Sequence, residues 1–566
     1  MAMKQSLRYI ALSVIACGIA FATQARTVYV DVSRVRGDLP MELRKYCSQA
    51  TYNDTVVLDF GKGTYTFDAT IECKSHVIMK GKGSDQTKIV LKPGKDRNGQ
   101  RAYISDSYFK FHGTPDHTIS VSISDIAFGI VEHQGILWKD GERHGVKIYH
   151  ANRVDIHDVD SYMENAYITN FDLRVCSNVS ITNNIITNYN NDETGGCLWM
   201  RGEMHNVTVR GNKFFKYGKD ETLGIFDNVI DSSKGHVRGV ASRTNIIVED
   251  NEFTYGGYEG RDKNPAAVAG MILTLTTNDL KGTPRCTTTG FHLRKNRFYI
   301  NEANTRCIHL EFNADDVHSD ICVENNEIIN NDIGRNWKYY HDDMVVNDMS
   351  NCGDTIKIVG NTVRNKNLVV MEDGSNGYTY LRLYSGNVSL IGNKLVDEVT
   401  VNRFSGKRTG VKAIHCSAPR GSITMRDNVF KGIGQLAYVR ASKGIESCTI
   451  NAQNNYFAGN TFIYCDLTDQ LNVNFTGNTL VSNSESFFLQ EFGKRGSVIF
   501  NNNDVTVSTG NGQLMTHRGK SSTDAMKFDR LEVRNNKFKG VNSETGLLQN
   551  ITKVKKRNLK ANTYSR

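Results

Sequence analysis

The stretch "NVTVRGNKFF" (residues 206–215) alternates apolar and polar side chains as a half-buried strand does, breaks at Asn212 and resumes with Phe214. The phrase returns with its letters changed and its pattern kept: "NIIVEDNEFT" from Asn245, "GFHLRKNRFY" from Gly290, "DICVENNEII" from Asp320, "TIKIVGNTVR" from Thr355, "NVSLIGNKLV" from Asn387, "SITMRDNVFK" from Ser422 and "LEVRNNKFKG" from Leu531. Aligned on the amide, the series is Asn184, Asn212, Asn251, Asn296, Asn326, Asn361, Asn393, Asn428, Asn455, Asn478, Asn503, Asn536 and Asn562. The intervals run from 23 to 45 residues, the range of stacked repeats, so the chain reads as one solenoid and not as several globular domains.

Alternation points Val207 and Val209 inward, Asn212 turns the chain, and Phe214 opens the next inward face. If coils stack at the ~4.8 Å spacing of paired strands, one amide per coil can accept from one neighbour and donate to the other along the whole rod. Asparagine also tolerates the tight, left-handed turn that such a corner demands. Two earlier coils, "VSISDIAF" at Val121 and "RVDIHDVD" at Arg153, place Ile126 and Val159 where the amide would stand, so the ladder begins after them. Before these, "LPMELRKYC" sets Leu39, Leu43 and Tyr46 on one helical face that can plug the open end of the core. Strands "TVVLDFGKGTYTF" and "HVIMKGKGSDQTKIVL" follow; Gly81 and Gly83 there lack the Gly-Lys-Ser/Thr ending of a phosphate loop. The expected division is a leader over 1–25, a cap with the first strands over 26–75, and the solenoid of stacked coils over 76–566.

Few prolines (6), many glycines (49) and runs of Val, Ile, Ser and Thr fit many short strands and turns. The N-terminus carries Lys4 and Arg8, an apolar run from Tyr9 to Phe21 and small residues up to Ala25, the pattern of a cleaved secretory leader. A lipid anchor at Cys17 is the alternative. The expected location is therefore outside the bacterial cytoplasm: periplasm, cell surface or medium. No other stretch has the ~18–20 apolar residues of a membrane span. Net charge is +9, or +7 without the leader, which favours an anionic partner. The cysteines form neither Cys-x-x-Cys pairs nor a zinc framework and read as small buried residues. Asp155 and His157 are candidate calcium ligands, which alternation sets on the outer face of a second strand of their coil; "HDDMVVND" (341–348) is the other acidic cluster. The basic tail "KVKKRNLKANTY" reads as a final coil and not as a nucleic-acid arm, because Leu559 and Asn562 fit the repeat.

The capping helix, the "TVVLDFGKGTYTF" strand, the "MKGKGSDQTKIV" turn and the repeated Val-x-Val-x-x-Asn-x-Phe coils resemble the pectate-lyase-like superfamily. That resemblance implies an all-β, single-stranded right-handed parallel β-helix with a short N-terminal capping helix, and a polysaccharide groove beside the first strand of each coil. Those strands would include "VKIYH", "CLWMRGE", "LGIFDN", "CIHLEF", "YLRLYSG", "VKAIHC" and "AYVRAS". With Ile148, Met200, Leu310 and Leu383 inward, alternation sends Lys147, Tyr149, Trp199, Arg201, His309, Glu311, Arg382 and Tyr384 outward. Aromatic faces stack on sugar rings and guanidinium groups grip uronate or sulfate oxygens, so an acidic polysaccharide is the expected substrate. Tyr149, Trp199, Arg382 and Tyr384 would bind it.

Two reactions fit. In β-elimination, Arg201 neutralises a uronate and Lys147, Lys234 or His309 removes the acidified proton. Hydrolysis requires two carboxyl groups, for which Glu203, Asp227 and Glu311 are available. The longer intervals after Asn212 and Asn251 predict wall-forming loops, the first bearing Lys234, His236, Arg238 and Arg243. The chain lacks the Gly-His-Gly of polygalacturonases and the Trp-x-Asp-His of many pectate lyases, so pectin is not the expected substrate. A noncatalytic glycan-binding or scaffold protein is the competing class.

Overall fold

The computed structural model describes residues 25–565, apart from 93, 96–100, 103–106, 131–143, 165–167, 190–194, 219, 232–234, 239–241, 257–269, 277–285, 302–304, 332–340, 367–377, 398–411, 418–419, 446, 469, 485, 491–494, 511, 517–526 and 549–552. Residues 1–24 of the expected leader, and Lys234, lie outside the described residues.

The capping helix spans Leu39–Gln49, with Asp38 accepting from the Met41 N–H at 2.9 Å and Pro40 in the first turn, where its missing donor costs nothing. Pro40, Leu43 and Cys47 form its buried face, while Leu39 packs only at the margin of the core. Tyr46, expected on the plugging face, is exposed: the Pro40-Leu43-Cys47 row at helical spacing takes the contact and turns Tyr46 away.

Against the cap lies a right-handed parallel β-helix, a single sheet of 45 strands among the described residues, wound so that strands pair with their counterparts in the next coil. One coil shows the plan. Strand Thr169–Thr182 aligns Phe171 with Val146 and Leu198, then bends and aligns Val179 with Val154 and Val207. Strand Ile185–Tyr189 then pairs on a third face with Asp160–Glu164 and Lys213–Tyr217. The apolar side chains of these coils therefore sit over one another. Phe214, Phe253 and Phe298 stack in successive coils with centroids 4.8 and 4.9 Å apart.

The thirteen amides form one uninterrupted ladder. From Asn184 to Asn562 each Nδ2 donates to the Oδ1 of the next at 2.9–3.1 Å. The same Oδ1 also accepts the preceding asparagine's backbone N–H at 2.8–3.0 Å. The ladder ends on Val159, whose N–H takes the Asn184 Oδ1 at 3.0 Å. One expectation is corrected. The ladder asparagines do not adopt the left-handed conformation; the residue before each does, among them Asn183, Gly211, Asp250, Lys295, Asn325, Gly360 and Ala561. Turning and laddering are separate jobs given to adjacent residues, since the strained φ is tolerated best by Gly, Asn and Asp and the buried amide must stay fixed.

The long interval after Asn212 does carry an excursion, an antiparallel hairpin of Asn228–Asp231 with Gly235–Arg238. Arg243 is not part of it. Its side chain is fully buried in strand Ser242–Glu249, donating to Thr288 Oγ1 (3.0 Å) and the Thr276 carbonyl (3.1 Å). The basic tail is indeed a last coil: Lys553–Lys560 pairs in parallel with Lys527–Arg534. The nine cysteines with described side chains are all buried. No helix among the described residues is long and apolar enough to cross a membrane.

Replacing Asn361 by alanine strands the Asn326 N–H and the Val323 carbonyl in the interior. A loss of about 2–4 kcal/mol is expected, against about 1 kcal/mol or less for Asn562→Ala, which has one ladder neighbour and lies partly exposed. Denaturant midpoints and exchange of the Asn326 amide check the contrast; equal effects at the two positions would refute the ladder's role.

Candidate functional site

The first face of the coils carries the proposed groove, and its register fixes which outward side chains meet. Lys110, Lys147, Asp172, Trp199, Gly224, Thr274, His309, Val345 and Arg382 follow one another in a single row. A second row runs His112, Tyr149, Arg174, Arg201, Phe226 and Thr276. Sequence reasoning missed the segment "TNFDLR" (169–174), which inserts Asp172 and Arg174 between Lys147 and Trp199. Its signal was present: Phe171 and Leu173 alternate with Asn170, Asp172 and Arg174 just one coil after "VKIYH".

Asp172 is the hub. Arg174 Nε and Nη2 both lie 2.6 Å from its Oδ2, Arg201 Nε is 3.4 Å from its Oδ1, and His144 Nε2 is 3.4 Å from its Oδ2. Arg174 Nη1 donates to the Tyr149 hydroxyl at 3.0 Å. The Arg201 guanidinium stands 4.4 Å from the Trp199 ring, and Lys147 Nζ stands 5.3 Å from the Tyr149 ring. Burial pushes the Asp172 carboxyl up, but the charges around it outweigh burial and hold it well below the usual range; the two guanidiniums supply them permanently. Burial, opposed by Asp172, holds His144 well below its ordinary value. In the three central coils of the second row, the residue after Tyr149, Arg174 and Arg201 is left-handed: His150 (φ 47), Val175 (φ 54) and Gly202 (φ 74). At a β-branched valine that conformation costs roughly 1–2 kcal/mol, strain held by the surrounding coils directly beside Arg174.

These outward rows are not open to solvent. Lys147 is 8% exposed, Trp199 5% and Arg201 4%, while Tyr149 and Phe226 are half-buried. At the start of strand Asp220–Phe226, one coil beyond Arg201, burial and then Asp220 push Glu221 up to about 7. Nearby Lys216 is fully buried, donating to Asn188 Oδ1 (3.2 Å) and the Gly195 carbonyl (2.5 Å), and burial pushes it down to about 8.

The fold brings together Lys147, Tyr149, Trp199 and Arg201, and separates the other candidates. His309 lies four coil steps from Asp172, roughly 19 Å at ~4.8 Å per strand. It faces Glu311 (3.7 Å), which accepts from Asn347 (3.1 Å), and burial pushes its imidazole down to about 4. Arg382 is six steps away, roughly 29 Å. It donates to Asp342 (2.8 Å) and sits 2.9 Å from His415 Nδ1, beside Tyr438, whose ring lies under Lys412. Tyr384 follows half-buried. Of the carboxyl candidates, Asp227 has no exposed surface and Glu203 is exposed.

The acidic clusters have other partners. His157 faces Asp158 at 2.9 Å and Asp155 lies between Ser122 and Ser180, and no three-ligand group among the described residues includes them. In "HDDMVVND", Asp343 joins His341 (2.9 Å) and the Tyr378 hydroxyl inside the coil, and Asp348 lies 3.0 Å from His318.

No family model and no curated protein matches the chain. Among solved structures it is similar to the tailspike of Pseudomonas phage phi297, at 10% identity over 90% of this chain and 82% of that one, with a TM-score of 0.38. It is also similar to a family 28 exopolygalacturonase of Yersinia enterocolitica (11%, 91% and 78%, TM-score 0.32). A third is the catalytic domain of a GH87 alpha-1,3-glucanase in complex with nigerose (11%, 90% and 69%, TM-score 0.28). Likenesses of this size assign no chemistry.

Removing the hub leaves two buried guanidiniums facing each other, so Asp172→Ala is expected to destabilise the protein by about 3–5 kcal/mol. Glu221 gives a test by pH. Its folded value lies above the unfolded ~4.3, so its contribution is present below that value and is lost as pH rises through about 7. Glu221→Gln should therefore raise the thermal midpoint relative to the wild type at pH 8, with the gap closing toward pH 4. A gap that does not change with pH would show that Glu221 ionises normally.

Proposed function

We propose that this chain acts on a complex, acidic polysaccharide at the Lys147–Arg201 cluster, cleaving it by β-elimination in preference to hydrolysis. The observation that carries the reading is a set of cations and aromatic faces gathered from three successive coils, Lys147 and Tyr149, Arg174, then Trp199 and Arg201, about one carboxylate. Tyr149, half-buried, offers a ring face for a sugar, while Trp199, almost fully buried, backs the Arg201 guanidinium. Arg201, as the uronate neutraliser, lies two coils from Lys147, the candidate base. Tyr149, its hydroxyl fixed by Arg174, is a second group of suitable type.

None of the three carboxyl groups named for hydrolysis pairs with another at the cluster. Asp227 is fully buried, Glu311 sits two coil steps beyond its strand, and Glu203 is exposed on a different coil from either. His309, remote and held near 4, does not serve as base for the cluster, and Arg382 with Tyr384 supports a distal portion of a long chain. One observation favours a noncatalytic glycan-binding protein: Arg174 and Arg201 are already paired and almost inaccessible.

The purified protein is to be incubated with a panel of uronic-acid polysaccharides while unsaturated products and new reducing ends are followed. Unsaturation is expected, with turnover lowered at least about 100-fold in Lys147→Ala and in Arg201→Ala. Reducing ends without unsaturation mean hydrolysis. Silence in both assays with retained glycan binding means a binding protein, and unchanged turnover in both variants removes the assigned roles.

A further inference from the structure

On the outer side of the second face, away from the polysaccharide row, three ligand-type side chains converge from two adjacent coils. His292 comes from strand Thr287–Arg294, and Cys322 and Glu324 from strand Val317–Glu324, with His292 and Cys322 in direct register. One ligand atom from each lies within 4.8 Å of the other two. The imidazole is also oriented. Its Nε2 lies 3.0 Å from Asp320 Oδ2, an acceptor that favours the proton on that nitrogen and leaves Nδ1 as the ligand atom. Nδ1 is buried, makes no hydrogen bond and lies 3.7 Å from Glu324 Oε1. An outward thiol on a solvent-side sheet face, only 7% exposed, is an unusual choice for a position where neighbouring coils carry His292 and Lys357.

We propose that His292, Cys322 and Glu324 bind a borderline-soft divalent cation of the zinc type, with Asp320 as a positioning residue. An imidazole nitrogen, a thiolate and a carboxylate are zinc's preferred donors, and the two anionic ligands neutralise a dication. Bond lengths of about 2.0–2.3 Å require the three groups to close by roughly an ångström, within the reach of side-chain rotation on an outer face. Three protein ligands leave a fourth position for water. Because the ligands come from successive coils, the ion would staple one coil to the next where the strands have an open outer side.

The test uses the full, reduced protein with cobalt(II) as a spectroscopic probe and zinc as competitor. Expected are one equivalent of cobalt with a thiolate-to-metal charge-transfer band, its displacement by zinc, and a zinc-dependent rise in the thermal midpoint. Cys322→Ser should abolish the band, His292→Ala should weaken zinc at least about 10-fold, and Asp320→Asn about 10- to 100-fold. All three lie on the outer face, and circular dichroism confirms the fold of each. Absence of the band, or zinc affinity unchanged in both Cys322→Ser and His292→Ala, overturns the assignment. Polysaccharide turnover in these variants should match the wild type, which separates this site from the cluster around Asp172.

Discussion

Parallel backbone pairing between coils sets everything else in this molecule. Strands held ~4.8 Å apart place each side chain directly over its register partner, so a corner that must bury polar backbone has to solve the same problem in every coil. An asparagine amide solves it twice over: its oxygen takes both the amide and the backbone N–H of the coil before, and its NH₂ goes on to the coil after. An alanine or leucine at the same corner would leave buried donors without partners in two coils, which explains why the residue does not drift over thirteen turns.

The same constraint shapes the outer faces. Stacking in register brings like charges together, Lys110 beside Lys147 and Arg174 beside Arg201. In water such pairs cost little; shielded from it they repel strongly. Asp172 sits where it can offset both guanidiniums, so a cluster that looks built for an anionic ligand is also the arrangement that lets two arginines stack at all. Strain at Val175 and burial of His144 show that the surrounding structure holds this group in place against local preference.

Legibility followed the repeat. Asn212 and Phe214 announce their positions through a pattern repeated down the chain, and the inward faces of Ile148, Met200, Leu310 and Leu383 follow from alternation. Lys147, Tyr149, Trp199 and Arg201 were placed correctly on one face by the same rule. What alternation does not supply is the order of coils between Asn-marked turns. The segment bearing Asp172 precedes the first ladder asparagine, where the marker is lacking, and so the coil between Lys147 and Trp199 goes unmarked in the sequence. His309 and Arg382 share the row but lie several coils away, a separation set by counting strands and not residues. The left-handed corners at Gly211 and its equivalents were assigned to the wrong neighbour because Asn fits both jobs on composition alone.

By itself, the sequence determined the repeat: periodic amides mark one corner of each coil from Asn184 onward, and period-two apolar residues mark its inward positions. Only the tertiary structure decided which charges are paired, which are buried and which coils are adjacent. Those properties depend on distances between residues that no local pattern records, as the meeting of His144, Asp172, Arg174 and Arg201 demonstrates.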